Sequence, residues 1–94
     1  MVSKFLNATV PAATPARIGS SAQRLIGFVV YAAANTVVEF KNAATDTGTV
    51  KLTVGALAGT SLVVDLSELG GIFFDVGIFC KPVGAGSLVY AWYE

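Results

Sequence analysis

One stretch of this chain, Gly71 to Tyr93 (GIFFDVGIFCKPVGAGSLVYAWY), limits its possible folds more than any other. It carries six of the ten aromatic residues, the only cysteine and the only tryptophan. At a period of two, Ile72, Phe74, Val76, Ile78 and Cys80 share one face of an extended segment. Phe73, Asp75, Gly77, Phe79 and Lys81 share the other. After the breaker KPVGAGS, a second run sets Leu88, Tyr90 and Trp92 against Val89, Ala91 and Tyr93. Alternation rich in β-branched and aromatic residues is the pattern of strands, and Pro82, Gly84 and Gly86 predict a turn between them. The expected element is a long hairpin, apolar on both faces, lying mid-sheet or against a partner.

The remainder of the chain reads the same way. Gln23 to Ala34 (QRLIGFVVYAAA) is apolar on both faces, which places it centrally in a sheet; Gly27 and the Val29-Val30 pair argue against a helix. Asn35-Thr36 is a turn signal. Val37 to Lys41 then reads as a strand with Val38 and Phe40 inward and Glu39 and Lys41 outward. The polar loop Asn42 to Gly48 separates it from Thr49 to Val54, where Val50, Leu52 and Val54 alternate with Thr49, Lys51 and Thr53, the mark of one wet face. A short strand, Leu62 to Leu66, precedes the break SELGG. Six or seven short strands with Gly-rich turns and no helical period predict an all-β fold, a small antiparallel β-sandwich or jelly roll. Residues 1–20 differ in character. Val2 to Val10 reads as a short strand anchored by Phe5, and PAATPARIGSS favours an extended path. Residues 1–20 are therefore expected as an extended N-terminal arm laid on a neighbouring subunit, or as an edge strand of the same domain, with residues 21–94 forming the sandwich.

Composition turns this fold towards assembly. A chain of 94 residues, 54% hydrophobic and 13% charged, compares with roughly 25% charged residues in a typical soluble domain. A domain this small has much surface and little interior, so burial of so many apolar groups points to self-association or docking onto a larger surface. Six basic and six acidic residues are spread singly and cancel; no basic run predicts direct contact with nucleic acid. The longest apolar stretch, Leu25 to Ala34, is about half the roughly 20 residues of a membrane-spanning helix. The N-terminus has no continuous apolar core of signal-peptide length, so a soluble protein made in a cytoplasm and not secreted by a classical route is expected. The single cysteine forms no internal disulfide, and its place among Ile72, Phe74 and Ile78 predicts a buried, inert thiol.

Little in the chain suggests catalysis. Histidine, the commonest general base and metal ligand, is absent, and Cys80 lacks the usual activating partner of a nucleophile. Asp65, Glu68 and Asp75 are close enough in sequence to be tried as a carboxylate pair, and Asp46 as a calcium ligand, but both read better as solvated acids. Gly84-Ala85-Gly86 lacks the lysine and the helix of a phosphate loop. No catalytic residue, metal or cofactor is expected. Aromatic residues are enriched at the centres of interfaces. Phe73 and Phe79 lie opposite the expected core set, and Tyr93 lies opposite Tyr90 and Trp92. Either one set is core and the other docks, or a second sheet covers both; Phe73, Phe79 and Tyr93 are the candidate contacts. Phe5, Arg17, Ile18 and Arg24 join them as anchors of the N-terminal segment.

From Thr14 onward the order TPARIG, RLIGFVVYAAANTVVEFKNAATDTGTVKLTV and GGIFFDVGIFCKPVGAGSLVYAWYE resembles small structural proteins of tailed bacteriophages. Those chains carry an early "TPARI"-like segment, a "V-x-F-K" strand, a Thr/Gly-rich loop, a "K-L-T" strand and a closing aromatic strand. The loop NAATDTG is poorer in glycine than that pattern, and the end AWYE is more aromatic. The resemblance implies a virion component without enzymatic activity: a cement or decoration protein bound between major capsid proteins, or a tail accessory or fibre-base protein. It also implies a homo-oligomer, with a trimer as one arrangement. A receptor- or carbohydrate-binding module using Trp92 and Tyr90 is the alternative from another class.

Overall fold

A computed structural model of the chain describes residues 6–19 and 22–94. They form nine strands and one 3-10 turn: β1 (Leu6–Pro11), β2 (Ala16–Ile18), β3 (Gln23–Tyr31), β4 (Thr36–Asn42), β5 (Thr49–Ala56), β6 (Ser61–Asp65), the turn Ser67–Leu69, β7 (Ile72–Phe74), β8 (Ile78–Val83) and β9 (Leu88–Tyr93). Every pairing is antiparallel. In the first sheet the order is β1-β9-β3-β6, with β7 also on β3; in the second it is β2-β8-β4-β5. The two pack face to face as a slab of 35 × 32 × 18 Å. The expected all-β sandwich is the fold.

The core lies between the sheets and draws on both. Leu25, Phe28, Val30, Phe74, Val89 and Ala91 come from the first, and Ile18, Val38, Phe40, Ile78 and Cys80 from the second. The Phe28 and Phe40 rings meet across the gap with centroids 4.6 Å apart. β3 is central, as its two apolar faces require, but strict alternation fails within it. A register shift between Leu25 and Gly27 lets Leu25 share the core with Phe28, although the two are an odd three positions apart. Such a bulge re-aims one side chain and adds twist.

The C-terminal stretch departs from the expected long hairpin. The chain leaves the first sheet after Phe74 and enters the second at Ile78, so β7 and β8 belong to different layers, and β8 and β9 are not paired. Val76, expected beside Phe74 and Ile78, is half exposed in the crossover. Asn42 at the end of β4 holds that crossover. Its Oδ1 accepts the Val76 N–H at 2.9 Å, and its Nδ2 donates to the Asp75 carboxylate. Upstream, Gly70 and Gly71 both take positive φ, 75° and 81°, where a side chain would be strained. That pair turns the chain from the end of β6 back onto the edge of β3.

The N-terminal segment runs within the chain's own sheets over its described part. β1 pairs with β9 along Leu6–Pro11, and β2 pairs with β8 along Ala16–Ile18. These are edge strands, one per layer, and Val10 and Ile18 are buried. Removing residues 1–20 would thus take two side chains out of the core and would not test an arm.

At one end of the slab a buried polar pair fastens two turns. The Thr36 and Ser87 hydroxyls lie 2.7 Å apart, the Ser87 Oγ accepts the Ala33 N–H at 3.0 Å, and the Thr36 hydroxyl donates to the Ala34 carbonyl at 2.7 Å. Ser87→Ala leaves the Ala33 N–H without its acceptor, a loss of about 1–3 kcal/mol. Chemical denaturation should show it as a lowered midpoint with an unchanged slope. A midpoint equal to the parent's would mean that solvent satisfies these groups.

Candidate functional site

The two outer faces of the sandwich differ in kind. On the second sheet, Glu39, Lys41 and Lys81 stand on neighbouring strands, and the loop after β4 brings in Asp46. Lys81 lies 2.8 Å from the Asp46 carboxylate, Lys41 hydrogen-bonds the same group, and Glu39 is 3.9 Å from Lys41. Hydrogen bonds from Lys41 and then Lys81 hold the Asp46 pKa below its ordinary 3.8, while the hydrogen bond and then the charge of Asp46 raise Lys81 above 10.5. Asp46 is therefore a salt-bridged loop residue.

Linkage fixes the pH window of this clasp. The Asp46 contribution is complete above 3.8 and is lost as pH falls through the lowered folded value. The Lys81 contribution is complete below 10.5 and is lost as pH rises through the raised one. A carboxyl-carbon NMR titration should give Asp46 a midpoint below 3.8, moving towards 3.8 in Lys81→Ala. A parent midpoint already at the ordinary value would remove the clasp from the account.

The outer face of the first sheet is apolar. Register places Asn7, Trp92 and Gly27 in one row, with Asp65 beside Gly27. Thr9, Tyr90, Val29 and Val63 form the next, and Pro11, Leu88, Tyr31 and Ser61 the third. The second and third rows contain no charge. Tyr31 and Val63 are exposed, and Leu88, Tyr90, Trp92 and Val29 are half-buried. Trp92 covers Gly27, where a Cβ would fall 2.4 Å from the indole and 2.8 Å from the Val64 carbonyl oxygen. Glycine thus lets the indole lie against the sheet, and Tyr90 continues the surface with its ring centroid 6.4 Å from that of Trp92.

The residues expected to form an interface are scattered by the fold. Phe5 lies outside the described residues. Ile18 and Tyr93 are buried in the core, and Phe79, on the outer face of the second sheet, is 9% exposed; none of the three is an open contact. Arg17 donates to the Val76 carbonyl at 3.3 Å, within its own chain. Arg24 donates to the Gly70 carbonyl at 3.1 Å and lies 5.8 Å from the centre of the Phe73 ring. Phe73 alone of the aromatic candidates is open, at 48%, and it flanks the apolar face. Trp92, Tyr90 and Leu88 take the outward places because Val89, Ala91 and Tyr93 point into the core.

The described surface offers little convergent chemistry. An open groove of ≈ 460 Å³ runs between Ala12–Pro15 and Lys81–Gly86, but its walls are short apolar groups, and its one cation is paired with Asp46. Cys80 is fully buried, and burial pushes its thiol up to about 12, so it stays protonated at neutral pH. Among the described residues no three Cys, Asp or Glu side chains cluster as metal ligands would. No protein-family model, curated protein or solved structure matches the chain.

Proposed function

We propose that this protein is a non-enzymatic structural subunit of a phage particle, a cement protein seated between major capsid proteins through the outer face of its first sheet. The observation that carries the reading is the apolar field formed by Trp92, Tyr90, Leu88, Val29, Tyr31 and Val63 on one side of a slab whose opposite side mixes exposed Val37 and Val83 with the ion-paired Glu39, Lys41, Lys81 and Asp46. Contiguous apolar patches mark docking surfaces, and Trp and Tyr buried on binding dominate the energy at such surfaces. The resemblance of residues 14–94 to small tailed-phage proteins supplies the partner. Burial of apolar area, at about 25 cal/mol per Å², would staple neighbouring capsid proteins and stabilise the assembled shell by mass action. An attachment of this kind depends weakly on salt, because few charges take part.

The test is co-sedimentation of the purified full chain with undecorated phage shells at low and high salt. Saturable binding that persists in salt is the expected result. A protein indifferent to shells yet retained by tails would move the same face to a tail accessory role. Retention on a glycan array, without binding to either particle, would replace the structural reading with a carbohydrate-binding one.

A further inference from the structure

The two long sides of the slab are protected unequally. All three prolines of the chain fall on one side: Pro11 ends β1, Pro15 precedes β2, and Pro82 sits in β8 where β2 no longer covers it. Proline lacks the donor that a further strand would need, and it is a standard guard of sheet edges. The opposite side is formed by β5 of the second sheet and β6 and β7 of the first, and it has no proline. β5 is the longest edge strand, eight residues (Thr49–Ala56) with a single charge. That residue, Lys51, lies at the register shift opposite Phe40 and Lys41 and, though exposed, is tied to its own chain. Its Nζ donates to the Phe73 carbonyl at 2.7 Å and lies 5.5 Å from the centre of the Phe74 ring, so Leu52–Ala56 is the uncharged run of this edge. The same side gathers the two most exposed large apolar groups described, Leu69 at 76% and Leu57 at 71%.

We propose that this side is the contact with a second copy of the chain, β5 pairing antiparallel with β5 across a twofold axis so that the second sheet continues from one copy into the other. Between copies of this chain, an edge free of proline pairs best with its own kind when the opposite edge carries all three prolines. A ring built from unlike edges would have to pair β5 or β6 with the proline-bearing side, whereas an isologous contact uses the open side twice. This makes the assembly a dimer and sets aside the trimer. An axis along the sheet normal also brings β6 against β6, and Leu57 and Leu69 of both copies then cover the seam. The side measures up to 35 × 18 Å, which gives roughly 600 Å² per copy, the lower end of stable interfaces. The pairing is independent of what the outer face of the first sheet docks against, so either proposal can fail alone.

Sedimentation velocity of the full chain across a concentration series tests it. The mass should rise from 9.7 kDa to twice that value. Leu57→Lys with Leu69→Lys, both at exposed positions that leave the core intact, should weaken association about tenfold or more, since like charges then meet across the axis. Trp92→Ala should leave association unchanged. Hydrogen exchange at low and high concentration gives a second readout, with β5 amides slowing as the dimer fills. A parent that stays at 9.7 kDa, a trimeric mass, a double variant that associates like the parent, or slowing in β1 in place of β5 would each overturn the proposal.

Discussion

Phe28→Ala should remove about 3–5 kcal/mol of folding stability, the usual range for truncating a fully buried phenylalanine. Phe28 is fully buried in β3, the strand paired on both sides in the first sheet, and its ring meets Phe40 of β4 in the second. β3 and β4 are consecutive in the chain, so this contact closes the turn that carries the chain between layers. Truncation loses the transfer energy of the ring and leaves a cavity bounded by Phe40, whose position in β4 is fixed by pairing to β5 and β8. Domains of this length have roughly 5–14 kcal/mol in total, so the loss is at least a fifth of the whole. The melting temperature should fall by more than about 10 °C. A double-mutant cycle with Phe40→Ala should return a coupling of about 0.5–1.5 kcal/mol beyond area burial. A drop below about 1 kcal/mol for Phe28→Ala would mean that neighbouring side chains collapse into the space and that this ring pair does not clasp the sheets.

The strands that sequence located well are those where alternation and turn residues agree. β4, with Val38 and Phe40 inward, emerges from period two alone, and so does the central position of β3. In β5 the alternation holds from Leu52 to Val54, but a register shift opposite Phe40 and Lys41 leaves Val50, expected beside Leu52, exposed. The break between β7 and β8 is different. Asp75-Val76-Gly77 contains no proline, and Val76 continues the alternation of Phe74 and Ile78, which masks the turn formers Asp75 and Gly77 at the change of layer. It is set by long-range partners: Asn42, which holds Val76, lies 34 residues away in the chain. The candidate contacts were displaced for a related reason. Aromatic bulk suggested Phe79 and Tyr93 as interface residues, but the phase of a strand follows its pairing partners. β9 lies between β1 and β3, and that pairing turns Tyr93 inward with Val10 and Phe28. Trp92 and Tyr90 then face outward. The one local clue was Gly27, a small residue inside a strong strand, which often marks close approach by another group; here that group is the Trp92 indole.

Trp92→Ala should weaken docking to shells by about 2 kcal/mol or more, the range of an interface hot spot and some thirtyfold in affinity. The indole supplies the largest side chain of the apolar face and is already held against Gly27, so little side-chain freedom remains to be lost on binding. Fold stability should change less, because Trp92 is only half-buried and faces away from the core. Gly27→Val attacks the same surface from beneath. A Cβ there meets both the indole and the Val64 carbonyl oxygen, and backbone cannot yield as a flexible side chain can. This variant should lose about 1–3 kcal/mol by overpacking, shift the Trp92 fluorescence towards that of a more exposed indole, and reduce docking along with it. The pair of variants separates two causes. Docking lost in Trp92→Ala with stability nearly intact assigns the effect to the contact itself. Docking retained in Trp92→Ala but lost in Gly27→Val would trace it to the sheet's shape and move the centre of the interface to Val29, Tyr31 and Val63.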